Sequence, residues 1–144
     1  MSVRADVGSQ ERAGSPGPVT HVRLARPCVD LPAVERFYTA GLGLSVLLRV
    51  SPPEVPPPGL AMLGWPGAAW HLELVGYGTP PQPTVDDLLV LYLGDAVPAE
   101  LLDRLVAAGG RRVTAHDPYW EEWGVTVEDP DGYRLVLSTR RWPE

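Results

Sequence analysis

The chain has 144 residues, of which 44% are hydrophobic and 21% are charged, and its net charge is −6. This length and composition predict one globular domain, and no apolar run approaches the roughly 18 residues that a membrane span needs. The acidic balance argues against a nucleic-acid partner, which would require a basic surface to neutralise phosphates.

Nothing at the N-terminal end of the sequence predicts export. The first eight residues lack the apolar core of a signal peptide, and Cys28 is the only cysteine, so it cannot form an internal disulfide. Both features favour a cytoplasmic protein. Residues 1–18 are polar, end in a Gly- and Pro-rich stretch and show no periodicity, which predicts a disordered tail ahead of a domain at residues 19–141.

The first half of the domain, module one at residues 19–78, predicts a strand, a helix and three strands. The alternation around Val22 and Leu24 is typical of a half-buried strand. Asp30 suits the N-cap of a helix that stops near Gly41 and Gly43. Further strands are predicted at residues 44–50, 60–64 and 69–75, with a proline-rich extended loop at residues 51–58 that cannot join a sheet.

The second half, module two at residues 84–140, repeats this order. A strand apolar on both faces is predicted at residues 87–93, a helix follows Pro98 and ends at Gly109, and a short strand occupies residues 112–115. Residues 116–123 are predicted to form an aromatic, acidic loop. Asp129-Pro130-Asp131-Gly132 then suits a type I turn between two alternating strands, which predicts a closing hairpin.

The two halves form an internal repeat with nearly constant offsets. His21 maps onto Asp87, Gly43 onto Gly110, and Glu73 onto Val136. Each half alone has too little core, so the two units are expected to pack as one domain or to exchange with a second chain.

With these motifs, the chain resembles the vicinal oxygen chelate superfamily, which includes glyoxalase I, extradiol dioxygenases and bleomycin-binding proteins. The resemblance rests on His21-Val22-Arg23-Leu24, on His71-Leu72-Glu73-Leu74, and on Glu128-Asp129-Pro130-Asp131-Gly132-Tyr133 at the close of the repeat. Arg23-Leu24-Ala25-Arg26-Pro27 and Asp117-Pro118-Tyr119-Trp120 are similar to a little-characterised bacterial branch of glyoxalase-like proteins. The resemblance implies an α+β fold of two tandem βαβββ modules, whose curved mixed sheets surround a cleft, and a homodimer.

In that superfamily, metal ligands project inward from the first and fourth strands of each half. Carried over by position, these places are His21, Glu73, Asp87 and Val136. Valine cannot ligate a metal, so the resemblance implies at most His21, Glu73 and Asp87 as ligands of one divalent ion, either Fe, Mn, Zn or Ni. Glu73 is also the candidate catalytic base.

An alternative is that the pocket holds no metal. Glu73 would then hydrogen-bond with His21, Arg23 or His71 instead. Aromatic rings beside acidic residues in the loop suit a flat or cationic ligand. The candidate ligand-binding residues are Arg23, His71, Tyr119, Trp120, Trp123 and Arg134, with Arg134 free either to contact an anionic group or to pair with Glu128.

Two functions follow from these alternatives. The first is a glyoxalase-like or dioxygenase-like enzyme that binds a small molecule in the cleft beside an incomplete metal site. The second is a metal-free protein that sequesters a small, antibiotic-type compound. Metal analysis of the purified protein and of its His21 and Glu73 variants would separate the two.

Overall fold

A computed structural model describes residues 14–143 and shows two four-stranded sheets with few helices. The predicted disordered tail lies outside the described residues as far as residue 13. Module one contains β1 (Val22–Pro27), α1 (Leu31–Arg36), a π-helical segment (Phe37–Gly41), β2 (Ser45–Val50), β3 (Leu60–Gly64) and β4 (Trp70–Val75). Module two contains β5 (Leu88–Tyr92), α2 (Ala99–Ala107), β6 (Arg111–Val113), α3 (Pro118–Glu122), β7 (Gly124–Glu128) and β8 (Arg134–Ser138).

The sheet topology confirms the predicted α+β fold of tandem βαβββ modules. The strand order is β1-β4-β3-β2 in the first sheet and β5-β8-β7-β6 in the second. In each sheet the first strand pairs in parallel with the fourth, and the remaining pairs are antiparallel. Parallel pairing requires a crossover connection, and the helix and two strands between the first and fourth strands supply it.

Both sheets contribute one face to a single shared core. Leu72 and Leu74 of β4 and Leu135 and Leu137 of β8 belong to one buried cluster with side chains from the helices. The modules also approach closely at Gly110, where an added Cβ would lie 2.6 Å from Phe37 Cε1. Because side chains alternate along a strand, every second residue of β4 and β8 lies on the opposite face of its sheet, away from this core.

The closing hairpin is held by Asp129 and joined to module one. Asp129 Oδ1 accepts hydrogen bonds from the backbone N–H groups of Asp131 at 2.8 Å and Tyr133 at 3.0 Å, as the predicted turn requires. Tyr38 Oη of module one donates to Asp129 Oδ2 at 2.8 Å. Burial raises the pKa values of both Asp129 and Tyr38, so this bond lies in a protected environment.

The prediction of a loop at residues 116–123 is wrong for residues 118–122. Residues 118–122 form α3, because Asp117 accepts a hydrogen bond from the backbone N–H of Tyr119 at 2.9 Å and Pro118 occupies the first turn. The helix fixes the aromatic side chains of this segment against the second sheet. No helix within residues 14–143 is long and apolar enough to cross a membrane.

Candidate functional site

The strand register defines two equivalent surfaces, one on each sheet. Met62 lies opposite Glu73 in module one, and Thr126 lies opposite Val136 in module two. Arg23 lies opposite His71, just as Leu88 lies opposite Arg134. We call the core-distal surface formed by His21, Arg23, Met62, His71 and Glu73 the module-one face. Its counterpart, formed by Asp86, Leu88, Thr126, Arg134 and Val136, is the module-two face.

The register corrects the predicted equivalence of His21 and Asp87. Arg23 and Leu88 are equivalent and 65 residues apart, so the same spacing places Asp86, not Asp87, at the position of His21. A slip of one residue moves a side chain to the other face of a sheet. Asp87 instead accepts a hydrogen bond from the backbone N–H of Thr84 at 2.9 Å in the loop before β5. It is therefore a turn residue, not a candidate ligand on the module-two face.

Two hydrogen bonds join polar side chains of the module-one face, whereas His71 Nε2 is buried and has no partner within the described residues. Arg23 Nη1 donates to Glu73 Oε1 at 3.0 Å in an ion pair whose carboxylate side chain is only 8% exposed. His21 Nε2 and His71 Nδ1 lie 2.7 Å apart and share a hydrogen bond. Burial, and secondarily the neighbouring His21, lower the pKa of His71. Of the partners that the sequence left open for Glu73, the structure shows Arg23.

This donor set does not fit a divalent metal ion. A metal would need the Glu73 carboxylate and the His21 imidazole, but the first is bound by a guanidinium of the chain itself and the second by another imidazole. Val136, at the place that corresponds to Glu73, has no atom that can ligate. The cation that neutralises Glu73 is therefore Arg23.

The predicted triad of metal ligands is likewise not assembled. Within residues 14–143, no group of three or more His, Cys, Asp or Glu side chains is placed to hold a metal ion. The described residues therefore do not bring His21, Glu73 and Asp87 together, and a metal held by this chain stays a prediction. Asp87 is the physical reason, because its side chain is committed to a local turn.

The module-two face lines a cavity of about 110 Å³. Its apolar walls come from Leu88, Val136 and the half-buried ring of Trp120. The cavity lies between this face, which has Leu88 and Val136 where the module-one face has Arg23 and Glu73, and residues 115–120, which lead into α3 and have no counterpart in module one. The full lining is Val85, Asp86, Leu88, Ala115, His116, Asp117, Trp120, Thr126, Arg134 and Val136.

Two hydrogen-bond donors line this cavity without a protein partner. Arg134 Nη1 and Thr126 Oγ1 are both buried, and neither has a hydrogen-bond partner within the described part of the chain. Thr126 as a whole is only 1% exposed. We call these groups the cavity donors. A buried polar group without a partner costs about 1–3 kcal/mol, and more if it is charged, so an acceptor that reached the cavity donors would be stabilised.

Both positively and negatively charged side chains surround the cavity. Arg134 Nη2 donates to Glu128 Oε2 at 3.4 Å, a long contact, whereas Arg111 makes a much shorter one to Glu128 Oε1. Asp86, Asp117 and His116 line the rim and are exposed. Asp117 is also engaged as the N-cap of α3.

The predicted ligand-binding residues do not lie together in the structure. Trp120 and Arg134 line the cavity of module two, whereas Arg23 and His71 lie on the module-one face. Trp123 lies under the guanidinium of Arg140, whose Cζ is 4.4 Å from the ring centroid. The hydroxyl of the sixth candidate, Tyr119, is buried, and its ring packs edge-on against Trp120. Their roles in binding stay predictions.

Sequence reasoning did not single out Thr126 and Leu88. The alternation of the closing hairpin places Thr126 on the same face as Val136, since the two residues lie directly opposite each other. That signal was available in the sequence. The sequence could not predict that the Thr126 hydroxyl lacks a hydrogen-bond partner among the described residues, because this depends on which side chains lie across the face from it.

Comparisons with known proteins agree with this architecture. Residues 22–75 match the model of a YycE-like N-terminal domain, and residues 86–139 match that of a YycE-like C-terminal domain. YycE of Bacillus subtilis (strain 168) is 40% identical over 126 residues, which cover 83% of this chain and 88% of that protein.

Solved structures show the same fold. A crystal structure of a YycE protein of unknown function from Bacillus subtilis superposes with a TM-score of 0.72 at 37% identity, and the match covers 85% of this chain and 91% of that one. A glyoxalase-related enzyme from Fulvimarina pelagi gives a TM-score of 0.60 at 24% identity, with 81% and 85% covered. TnmS3, an antibiotic binding protein from Streptomyces sp. CB03234, gives 0.56 at 23% identity, with 85% and 98% covered.

Proposed function

The chain belongs to the YycE-like family, within the vicinal oxygen chelate superfamily, and on that premise we propose that it is a small-molecule-binding protein whose ligand occupies the module-two cavity. The fold supports a small-molecule role in general terms. The observation that carries the specific proposal is the enclosed cavity in which Arg134 and Thr126 present buried donors beside apolar walls. Convergent polar groups in a mostly apolar concavity are typical of ligand sites.

The arrangement supports binding without a resident metal. Leu88, Val136 and Trp120 would exclude water from the apolar part of a ligand, and the cavity donors would fix its orientation through one acceptor atom. The carboxylate of Glu73, at the position that corresponds to Val136, is neutralised by Arg23. The proposed role is therefore closer to sequestration than to metal-assisted chemistry. The homodimer stays a prediction.

A variant that fills the cavity tests this function. Ala115 lines the cavity from the segment after β6, so Ala115→Phe should block it without removing a polar group. Ala96→Phe, at an exposed loop position outside the cavity, is the matched control. Anionic, neutral and cationic aromatic compounds would be screened by thermal shift and by the NMR signal of the Trp120 indole N–H.

We expect at least one compound to stabilise the wild type and Ala96→Phe, but not Ala115→Phe. At a ligand concentration 100 times Kd the stabilisation is about 2.7 kcal/mol, or roughly 5–10 °C in Tm for a chain of this size. Either of two results would overturn the proposal: no compound of any charge class binds, or Ala115→Phe binds as tightly as the wild type.

A further inference from the structure

We propose that the ligand of the module-two cavity carries a carboxylate-type monoanion, which accepts hydrogen bonds from Arg134 Nη1 and Thr126 Oγ1. The inference rests on the proposed function and adds the chemical class of the ligand. It follows from the net charge around Arg134, from the placement of the cavity donors on adjacent strands, and from the exposed carboxylates at the rim.

The positive charge of Arg134 is not fully neutralised by the protein. Glu128 is its ion-pair partner at 3.4 Å, but the same carboxylate is held more closely by Arg111. The three side chains Arg111, Arg134 and Glu128 together carry one net positive charge, and Arg134 is the buried guanidinium, since its side chain is 14% exposed against 76% for Arg111. A buried, partly uncompensated guanidinium attracts an anion more strongly than it attracts a neutral acceptor.

The cavity donors come from neighbouring positions on one face of the second sheet. Arg134 lies opposite Glu128 and Val136 lies opposite Thr126, so Arg134 and Thr126 are diagonal neighbours on the same face of an antiparallel pair. Residues in that relation are roughly 7–8 Å apart, a distance that a long arginine side chain spans readily. The two oxygens of a carboxylate could therefore accept from both donors, and the apolar part of the ligand would lie against Trp120 and Val136.

The two carboxylates at the rim of the cavity limit how much negative charge a ligand can carry. Asp86 and Asp117 also line the cavity, but both are exposed to solvent, which screens them, and Asp117 already accepts the hydrogen bond that caps α3. Their repulsion should tolerate a monoanion bound at Arg134 and disfavour a dianion. A carboxylate should thus bind more tightly than inorganic phosphate.

Matched probes of one shape test the inference. Benzoate, benzamide, benzylamine and inorganic phosphate would be titrated into the full chain and followed by calorimetry and by the Trp120 indole signal. We expect benzoate to bind at least tenfold more tightly than benzamide or phosphate, and benzylamine to bind most weakly. Arg134→Met should weaken benzoate at least tenfold and leave benzamide nearly unchanged, and Thr126→Val should weaken benzoate a few-fold.

Two further variants separate a specific contact from a general change in charge. Arg111→Met leaves Glu128 to neutralise Arg134 alone, so it should weaken benzoate a few-fold although Arg111 is not part of the cavity lining. Arg112→Met removes the same charge from the adjacent exposed position and should bind benzoate like the wild type.

The results that would overturn the inference leave the proposed function separately decidable. If benzamide or benzylamine binds as tightly as benzoate, or if folded Arg134→Met keeps benzoate affinity, the ligand is not selected by its negative charge. Provided that Ala115→Phe still abolishes that binding, the cavity remains a ligand site. If benzoate does not bind at all, the inference is wrong, and the cavity donors are satisfied by water only.

Discussion

The two faces have the same strand framework, but their equivalent positions carry side chains of different size and charge. On the module-one face Arg23 pairs with Glu73 and His21 with His71, although His71 Nε2 is buried without a partner in the described residues. On the module-two face an apolar pair lies beside two buried donors that have no partner within residues 14–143. The equivalent positions, written with module one first, are His21 and Asp86, Arg23 and Leu88, Met62 and Thr126, His71 and Arg134, and Glu73 and Val136.

The difference shows how equivalent strand positions of a duplicated module can either be filled by an ion pair or, under the α3 segment that only module two has, line a cavity. A long ion pair such as Arg23–Glu73 fills the space above its sheet and neutralises itself. Leu88 and Val136 are shorter and carry no charge, so a cavity remains beside them. Arg134 Nη1 has no hydrogen-bond acceptor among the described residues. Side chains that fill the space above a sheet and pair with each other thus leave neither room nor free polar groups for a ligand at that position.

The largest expected effect comes from giving module two the carboxylate of module one. Val136 is fully buried, so Val136→Glu should lower the free energy of unfolding by about 3 kcal/mol, because the cost of burying a carboxylate and a larger side chain exceeds what a hydrogen bond from Arg134 returns. Leu88→Arg added to it recreates the arrangement of module one and should restore at least half of that loss. Urea unfolding measures both, and a double variant no more stable than Val136→Glu would show that the two faces are not interchangeable.

The reverse exchange in module one should have a smaller effect. Arg23→Leu alone leaves the buried carboxylate of Glu73 without its cation and should cost about 1–3 kcal/mol. Arg23→Leu with Glu73→Val copies the apolar pair of module two and should lie within about 1 kcal/mol of the wild type, since an apolar replacement of a buried ion pair is often neutral. Urea unfolding of the three proteins at one pH is the measurement. Equal stability of single and double variants would contradict the ion pair's structural role.

The smallest expected effect is a pH dependence that belongs to module one alone. The pKa of His71 is lowered, mainly by burial, so the folded chain binds this proton at lower pH than the unfolded chain, whose histidine pKa is about 6.5. The stability contribution of neutral His71 is complete above pH 6.5 and is lost as the pH falls below that value.

NMR titration of the imidazole signals checks this expectation. His71 should titrate below free histidine, and His21→Gln should move its titration upward by removing the neighbouring positive charge. His71→Gln should flatten the pH dependence of the free energy of unfolding between pH 5 and pH 7. Titration of His71 above free histidine would reverse the sign and refute the prediction.

Much of this architecture could be read from the sequence because strand alternation is local. The period of two placed His71 and Glu73 on the face away from the core, and Val136 on the corresponding face of module two. The turn chemistry of Asp129 was equally local and was confirmed. The offset of the repeat was less secure, because loops of different length separate the strands, and it misplaced Asp87 by one residue.

The candidate site itself depends on contacts across strands. Whether Glu73 binds Arg23 or an imidazole is decided by which side chains stand opposite each other, so the sequence could only name the alternatives. The cavity likewise follows from the combined sizes of Leu88, Val136 and Trp120, none of which is distinctive alone. The short helix α3 was missed although Asp117 and Pro118 are ordinary residues for a helix start.

The hydrogen bond from Tyr38 to Asp129 also limits how this protein can recombine with its relatives. Tyr38 belongs to module one, but its hydroxyl holds the turn that leads into β8, the strand that carries Arg134 and Val136. A chimera that joins this second module to the first module of another protein inherits the buried carboxylate of Asp129 without the matching phenol, unless Tyr38 is transferred as well. The unit that can be exchanged is therefore the second module together with Tyr38.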